Sequence, residues 1–271
     1  MMIERPSIDE RSMCCEKSKS ILGIEPVAEA AKTIIEKSFN GLGVFLETVF
    51  RPGLEEFGYL IKDQVRQWRL SNALRVMDKA KGRLGFENNE LQILANARVG
   101  LSILEECSMV DDEELQEMWA GLFASSCSVD GMDDSNMIFV DLLRRISSVE
   151  ARILKYGCVH CRKEIYPSGL IVPSETIEVS LEKLEEITGI TDVNRLDREL
   201  DHMASLSLLL KGLFTPSAGF RISRPDLTAR ITPSALALNL FYKTNSVNCT
   251  PNDFWGDQLE EHKEDANEAG S

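Results

Sequence analysis

Large apolar side chains recur every three or four residues through the first two-thirds of the chain, the spacing that places them on one face of an α-helix. The longest such run follows Pro52 and predicts a helix up to Gly85, a residue that tolerates the left-handed backbone closing many helices. Its apolar positions are Leu54, Phe57, Ile61, Val65, Trp68, Leu70, Leu74 and Met77. Short loops join it to further amphipathic stretches, including 88–107 and a helix that opens near Pro26. We therefore predict a helical bundle over residues 24–147.

The stretch DDEELQEMWAGLFASSC, residues 111–127, has two interpretations. Its four leading carboxylates could bind a divalent cation, or they could open a helix. Aspartate accepts the free N–H groups of a first helical turn, and further acids are stabilised there by the helix dipole. We favour a helix capped by Asp111 or Asp112 that buries an apolar face. By the same reasoning, Ser148 is expected to cap the helix that begins with VEARILKYG, residues 149–157. The apolar face comprises Leu115, Met118, Trp119, Leu122 and Phe123.

The last third of the chain has a different pattern. Helices are predicted over 180–188 and 191–204, followed by β-prone runs over 207–214 and 219–231 and a closing helix at Pro233. Helix, turn, helix and hairpin is the order of a winged-helix module, which we place at 148–243. The fold class predicted is mainly α, an N-terminal helical bundle followed by a winged-helix-like α+β module. Residues 1–23 are predicted to be a disordered arm, and 244–271, with seven acids and one lysine, an acidic disordered tail.

Charge and cysteine content limit the classes of partner and compartment. The net charge of −14 makes wide contact with a phosphate backbone unfavourable, so nucleic-acid binding would need a local basic patch. Seven cysteines, an odd number in a chain of 271 residues, indicate free thiols in a reducing cytosol. The first twenty residues are polar and lack the apolar segment of a secretory signal. We therefore expect a cytoplasmic protein.

Few residues suggest chemistry. Cys158 and Cys161 form the sequence CVHC, a weak candidate for a metal site because zinc needs about four ligands and no second such pair follows. We favour ordinary thiols and expect neither a metal nor a cofactor. The three histidines are far apart in sequence, and no phosphate-binding loop, nucleophile elbow or dinucleotide fingerprint is present. The expectation is a protein that is not an enzyme, with no catalytic residue.

A basic helix face is the clearest candidate contact site. Lys62, Arg66 and Arg69 share one side of the long helix and could contact an anionic partner, either phosphate or lipid. The alternative, which we favour, is that they pair with acids elsewhere in this acidic chain. Arg221 and Arg224 could contact DNA from the predicted wing, although the helix over 191–204 is acidic on balance. Residues 41–83 could instead lie on a membrane surface.

Three motifs resemble those of the Abi-alpha family, a bacterial abortive-infection family. A Trp-Arg-x-x-Asn helix (Trp68, Arg69, Asn72) precedes the acidic-start helix with its LxxxWAxL pattern, and FVDLLRRISSVEARILKY follows them. The similarity covers roughly residues 25 to 245 and is clearest over 62–157. The resemblance implies a part in defence against phage, in which the infected cell is halted or killed, and supplies no catalytic residue. We therefore expect a non-enzymatic protein that binds a protein partner; the alternatives are a winged-helix DNA-binding regulator and a membrane-surface effector.

Overall fold

The computed structural model describes residues 45, 49, 64–85, 93–166, 168–210, 214–216, 227–247 and 249–256, all within the compact unit Phe45–Ser271. This part of the chain is mainly helical, as predicted, with small antiparallel sheets. Its helices are α1 (Gln64–Arg83), α2 (Ala97–Cys107), α3 (Glu113–Ser125), α4 (Met137–Leu143), α5 (Ser148–His160), α6 (Leu181–Thr188), α7 (Val193–Ser205), α8 (Ala235–Asn245) and a short α9 over 251–256. The predicted arm over 1–23 and the helix near Pro26 lie outside the described residues.

The strands form three separate antiparallel sheets. β1 (Leu94–Ala95) pairs with β2 (Cys127–Ser128), and β3 (Lys163–Ile165) pairs with β4 (Ile171–Pro173). The third sheet has the order β5-β7-β6, built from β5 (Ile177–Ser180), β6 (Phe214–Pro216) and β7 (Leu227–Ile231). β7 therefore lies between the strand that precedes α6 and the strand that follows α7.

Side-chain caps fix where the helices begin. Asp112 accepts the Leu115 N–H at 3.1 Å, which confirms a capped start for α3. Ser147, and not Ser148 as predicted, caps α5, because Ser147 and Glu150 form a reciprocal capping box. The helix predicted over 88–107 begins later than expected, at Ala97. Asn96 caps α2, and the two residues before it belong to β1.

α3 lies at the centre of the core. It packs against α1, α2, α4, α5 and α8 and buries the predicted apolar face, with Trp119 1% exposed. Phe45 lies edge-on to Phe123 with ring centroids 6.3 Å apart. At Gly121, the backbone of α8 comes so close that an added Cβ would lie 1.7 Å from Thr244 O. Because α8 also packs on α5, the last long helix belongs to the same core as the first ones.

The chain after residue 244 is not the unbroken disordered tail that we predicted. α8 continues to Asn245, and α9 follows with Thr250 and Asp253 capping it reciprocally. Trp255 is fully buried and stacks on Phe241 at 5.8 Å between ring centroids. Phe254 and Trp255 together provide enough apolar surface to hold this acidic segment against α8. Residues 257–271 lie outside the described part of the chain.

Candidate functional site

The residues of the Trp-Arg-x-x-Asn motif differ in their surroundings: two bond to Ser108 and one is exposed. Asn72 is buried and donates from Nδ2 to Ser108 O at 3.1 Å, while Arg69 donates from Nε to Ser108 Oγ at 2.9 Å. Both residues thus tie α1 to the turn between α2 and α3. Trp68 is 43% exposed, and its side chain makes no hydrogen bond in the part of the chain that the structure describes. Met109, which follows the anchored Ser108, is also exposed at 50%. We call Trp68 and Met109 the Trp68 patch.

The acids at the start of α3 are paired with bases on the neighbouring helices. Glu113 and Glu117 both contact Lys79 Nζ, and Glu117 also accepts from Arg83 Nη2 at 2.7 Å. Burial opposes the charge of Lys79, but the bonds from these two carboxylates outweigh it and raise its pKa. The other pairs are Asp112 with Arg152 and Glu114 with Lys155. Within the described ranges, no group of three or more metal-ligating side chains is placed to hold a metal ion.

Of the predicted basic face, Arg69 is the residue whose side chain the structure describes, and Lys79 and Arg83 lie further along the same helix. Arg69, Lys79 and Arg83 each bind another part of the fold, and Arg83 Nη1 also donates to Thr244 O at 2.9 Å. Lys62 and the side chain of Arg66 lie outside the described residues. Their proposed contact with an anionic partner stays a prediction.

The CVHC cysteines lie in a packed environment. Cys158 and Cys161 are fully buried, and their Sγ atoms point to the carbonyl oxygens of Ala237 at 3.7 Å and Cys158 at 3.9 Å. Burial raises the pKa of both thiols. Beside them, Lys163 Nζ lies 4.5 Å from the centroid of the Trp255 ring, and burial lowers the pKa of this lysine. A buried, protonated thiol is a poor nucleophile, so the packing of these cysteines does not favour nucleophilic chemistry.

A polar network joins α5 to α7 and was missed by the sequence reasoning. The buried carboxylate of Glu150 accepts from Ser147 N at 2.7 Å and lies 2.6 Å from His202 Nδ1. Ser147 Oγ donates to Glu199 Oε2 at 2.8 Å. Glu150 and His202 are 52 residues apart, so no local pattern could link them. The Ser-x-x-Glu pattern at 147–150 was nevertheless a readable signal of a capping box.

Burial raises the pKa of Glu150, against hydrogen bonds from Ser147 and His202 that lower it. A raised native pKa means that the stability contributed by the protonated form is fully present below the ordinary value near 4.5 and is lost as pH rises through the native pKa. We expect Glu150→Gln, which keeps an acceptor for Ser147 N, to flatten this loss. Urea unfolding from pH 4 to 7 measures it, with the exposed Glu105→Gln as the control. A pH profile identical to that of the wild type would contradict the assignment.

Several charged groups of the last third are also paired in the described part. Arg195 lies 3.4 Å from Glu199, and Arg230 pairs with Glu178 at 3.1 Å across the β5–β7 contact. The side chains that α7 leaves exposed include Asp192, Arg198 and Asp201, a balance that repels phosphate. Arg221 and Arg224 lie outside the described residues, so their contact with DNA stays a prediction. Among the described residues, no helix combines the length and apolar character needed to cross a membrane.

Comparison with known proteins gives one family. The family model described as "Abortive infection alpha" matches residues 67–217, more than half of the 271-residue chain. The matched range begins one residue before Trp68 and includes α2 to α7, hence both the acidic-start helix and the α5–α7 network. Searches of the curated proteins and of the solved structures found no match.

Proposed function

The chain belongs to the abortive infection alpha family, and from this premise we propose that it acts in bacterial defence against phage by binding a protein partner in the cytoplasm, not by catalysis. The proposal combines what the family name implies with the distribution of polar groups in the described part of the chain. There, three of the four acids that might have formed a reactive cluster at residues 111–114, namely Asp112, Glu113 and Glu114, are paired with bases. Acids paired in this way stabilise the fold and are not free to catalyse a reaction. Binding of a partner would then use the exposed surface.

The Trp68 patch is the observation that carries this proposal. Its neighbours in the same motif, Arg69 and Asn72, are used to hold Ser108, whereas 43% of Trp68 faces solvent. Tryptophan and arginine are enriched among the residues that dominate binding energy at protein interfaces. Trp68 and Met109 are exposed, and each adjoins in sequence a residue of the Arg69–Ser108 hydrogen bond. An exposed indole on a backbone anchored in this way suits such a contact, because little ordering remains to be done on binding.

A DNA-binding regulator is the second candidate, and the topology of the last third supports considering it. β5 lies before α6, α6 and α7 are joined by a short turn, and β6 and β7 form a hairpin that pairs with β5. This arrangement suits a winged-helix-like module in which the pair β6–β7 would be the base of the wing. The acidic exposed face of α7 makes a protein contact the more favourable use of such a module. Binding to duplex DNA that falls steeply with salt, and is lost in Arg221→Glu or Arg224→Glu, would favour the DNA alternative.

The membrane-surface alternative, through residues 41–83, is separable by co-sedimentation with anionic vesicles. Retention that is lost in Arg66→Glu would favour it. Arg69→Glu would be a poor probe, because removing the bond to Ser108 disturbs the fold as well as the charge.

The decisive experiment is a plaque assay with a broad phage panel on cells with and without the gene, read together with host survival. We expect at least one phage to plate with lower efficiency on the gene-bearing cells, and the infected host to stop growing or die. Equal plating of every phage in the panel would overturn the defence proposal.

A further inference from the structure

The loop over residues 128–136, here called the β2–α4 loop, has a backbone fixed by its own short polar side chains. Asp130 Oδ1 accepts from Ser128 Oγ at 2.9 Å and from Met132 N at 3.1 Å. Ser128 Oγ accepts from Gly131 N at 3.0 Å, and Gly131 has a φ of +65°, which a glycine adopts without strain. Asn96, the cap of α2, donates from Nδ2 to Met132 O at 3.3 Å. The loop is thus held in one shape at both its turn and its end.

This fixed loop places apolar side chains in water. Val129 is 80% exposed and Met132 is 75% exposed, the two highest values among the large apolar side chains that the described residues leave exposed. Two further exposed apolar residues flank the loop. They are Leu101 on α2 and Ile138 on α4. Arg98, three residues before Leu101, pairs at 3.8 Å with Asp134, four residues before Ile138. Leu101 and Ile138 therefore lie on the two helices that the Arg98–Asp134 pair links to the loop, and these helices pack against each other.

The polar groups of the loop are acidic. Asp130, Asp133 and Asp134 are its only charged residues. In the described part of the chain Arg98 pairs with Asp134, and the charge of Lys243 acts on Asp133, so the loop keeps an acidic balance. Hydrogen bonds from Met132 N to Asp130 and from Ser135 N to Asp133 lower the pKa of both carboxyls, and the charge of Lys243 lowers that of Asp133 further. An apolar patch with an anionic rim is complementary to an apolar socket with a basic rim.

We propose that the β2–α4 loop is a docking surface for a basic protein partner, in which Val129 and Met132 enter an apolar socket and Asp130 and Asp133 face lysine or arginine side chains. The inference rests on the proposed function, since it names a second surface, besides the Trp68 patch, and a kind of partner for that binding. A second copy of this chain is the less favourable occupant. In a two-fold contact the same patch meets itself, so the acidic rims of two loops would repel each other.

The test uses the full-length protein in infected cells with the photo-crosslinking residue p-benzoylphenylalanine at position 132, and at position 170 as the control. Leu170 is a matched site, because it is 56% exposed and lies in the turn between β3 and β4. We expect an adduct at 132 but not at 170, with the crosslinked peptide beside lysine or arginine residues. Val129→Ser should lower the adduct yield about tenfold, because the apolar side chain that the socket would bury is lost.

Charge is tested separately by Asp130→Asn with Asp133→Asn, which keeps the acceptor oxygens that shape the loop and removes both charges. We expect the adduct yield to fall about fivefold and to lose its dependence on salt. No adduct at 132, an adduct of the chain with itself, or a yield unchanged in both variants would each overturn the inference. The plaque assay separates the two proposals. Plating reduced by the gene with no adduct at 132 rejects this surface alone, whereas an adduct without any change in plating rejects the defence role alone.

Discussion

Gly121→Ala is expected to destabilise the protein by at least about 3 kcal/mol, an unusually large effect for the addition of one methyl group. The new Cβ would lie 1.7 Å from Thr244 O and 2.4 Å from Thr244 C, both backbone atoms of α8. No rotamer change can relieve such a contact, so α8 must move away from α3. The movement would also break the bond that Arg83 donates to Thr244 O. For a chain of this size we expect the melting temperature to fall by roughly 6–12 °C.

Gly82→Ala is the matched control for this prediction. Gly82 also lies in a helix, but an added Cβ there meets nothing within 4 Å. Alanine is favoured over glycine in helices by up to about 1 kcal/mol, so this variant should be as stable as the wild type or slightly more stable. Urea unfolding of both variants tests the pair. If Gly121→Ala melted within about 1 °C of Gly82→Ala, the close crossing of α3 and α8 would be wrong.

Trp119→Ala is expected to cost about 3–5 kcal/mol of unfolding free energy, because the indole is 1% exposed in the centre of α3. The neighbouring α1, α5 and α8 also limit how far the core can collapse into the space left behind. Trp68→Ala is the comparison within the same chain. Since Trp68 is 43% exposed, its removal should cost no more than about 1 kcal/mol.

Calorimetry and urea unfolding compare these two tryptophan variants directly. A Trp119→Ala protein as stable as Trp68→Ala would mean that the indole at 119 is not in the core. The apolar pattern of the acidic-start helix would then have to be explained by something other than burial in the core.

Much of the helical part could be predicted because its signals are local. Apolar spacing and a capping aspartate belong to the same few residues that form α3, and Asp112 caps it as expected. The errors arose where a local signal was incomplete. The apolar residues before Asn96 fit a helix pattern, yet β1 forms there because Leu94 and Ala95 pair with β2, more than thirty residues later. Similarly, the acidic composition after residue 244 concealed Trp255, whose burial depends on α8.

The candidate site was less predictable than the fold for the same reason. The sequence shows that Lys79 belongs to a basic helix and Glu117 to an acidic one. Only the packing of the two helices shows that these side chains form an ion pair. Glu150 meets His202 across 52 residues. The exposure of Trp68 was also hidden, because its spacing alone placed it on the apolar face of the long helix. Distances along the chain do not determine which side of a helix a later helix will cover.

The most direct test of the account is the plating efficiency of a phage restricted by the wild-type protein, measured on cells that produce Trp68→Ala at the same level. Tyr166→Ala is the control, since Tyr166 is 46% exposed and distant in sequence from the Trp68 patch. The account predicts that Trp68→Ala restores plating by tenfold or more while its melting temperature stays within about 4 °C of the wild type, and that Tyr166→Ala continues to protect. Full protection by Trp68→Ala would contradict the claim that this exposed indole binds the partner.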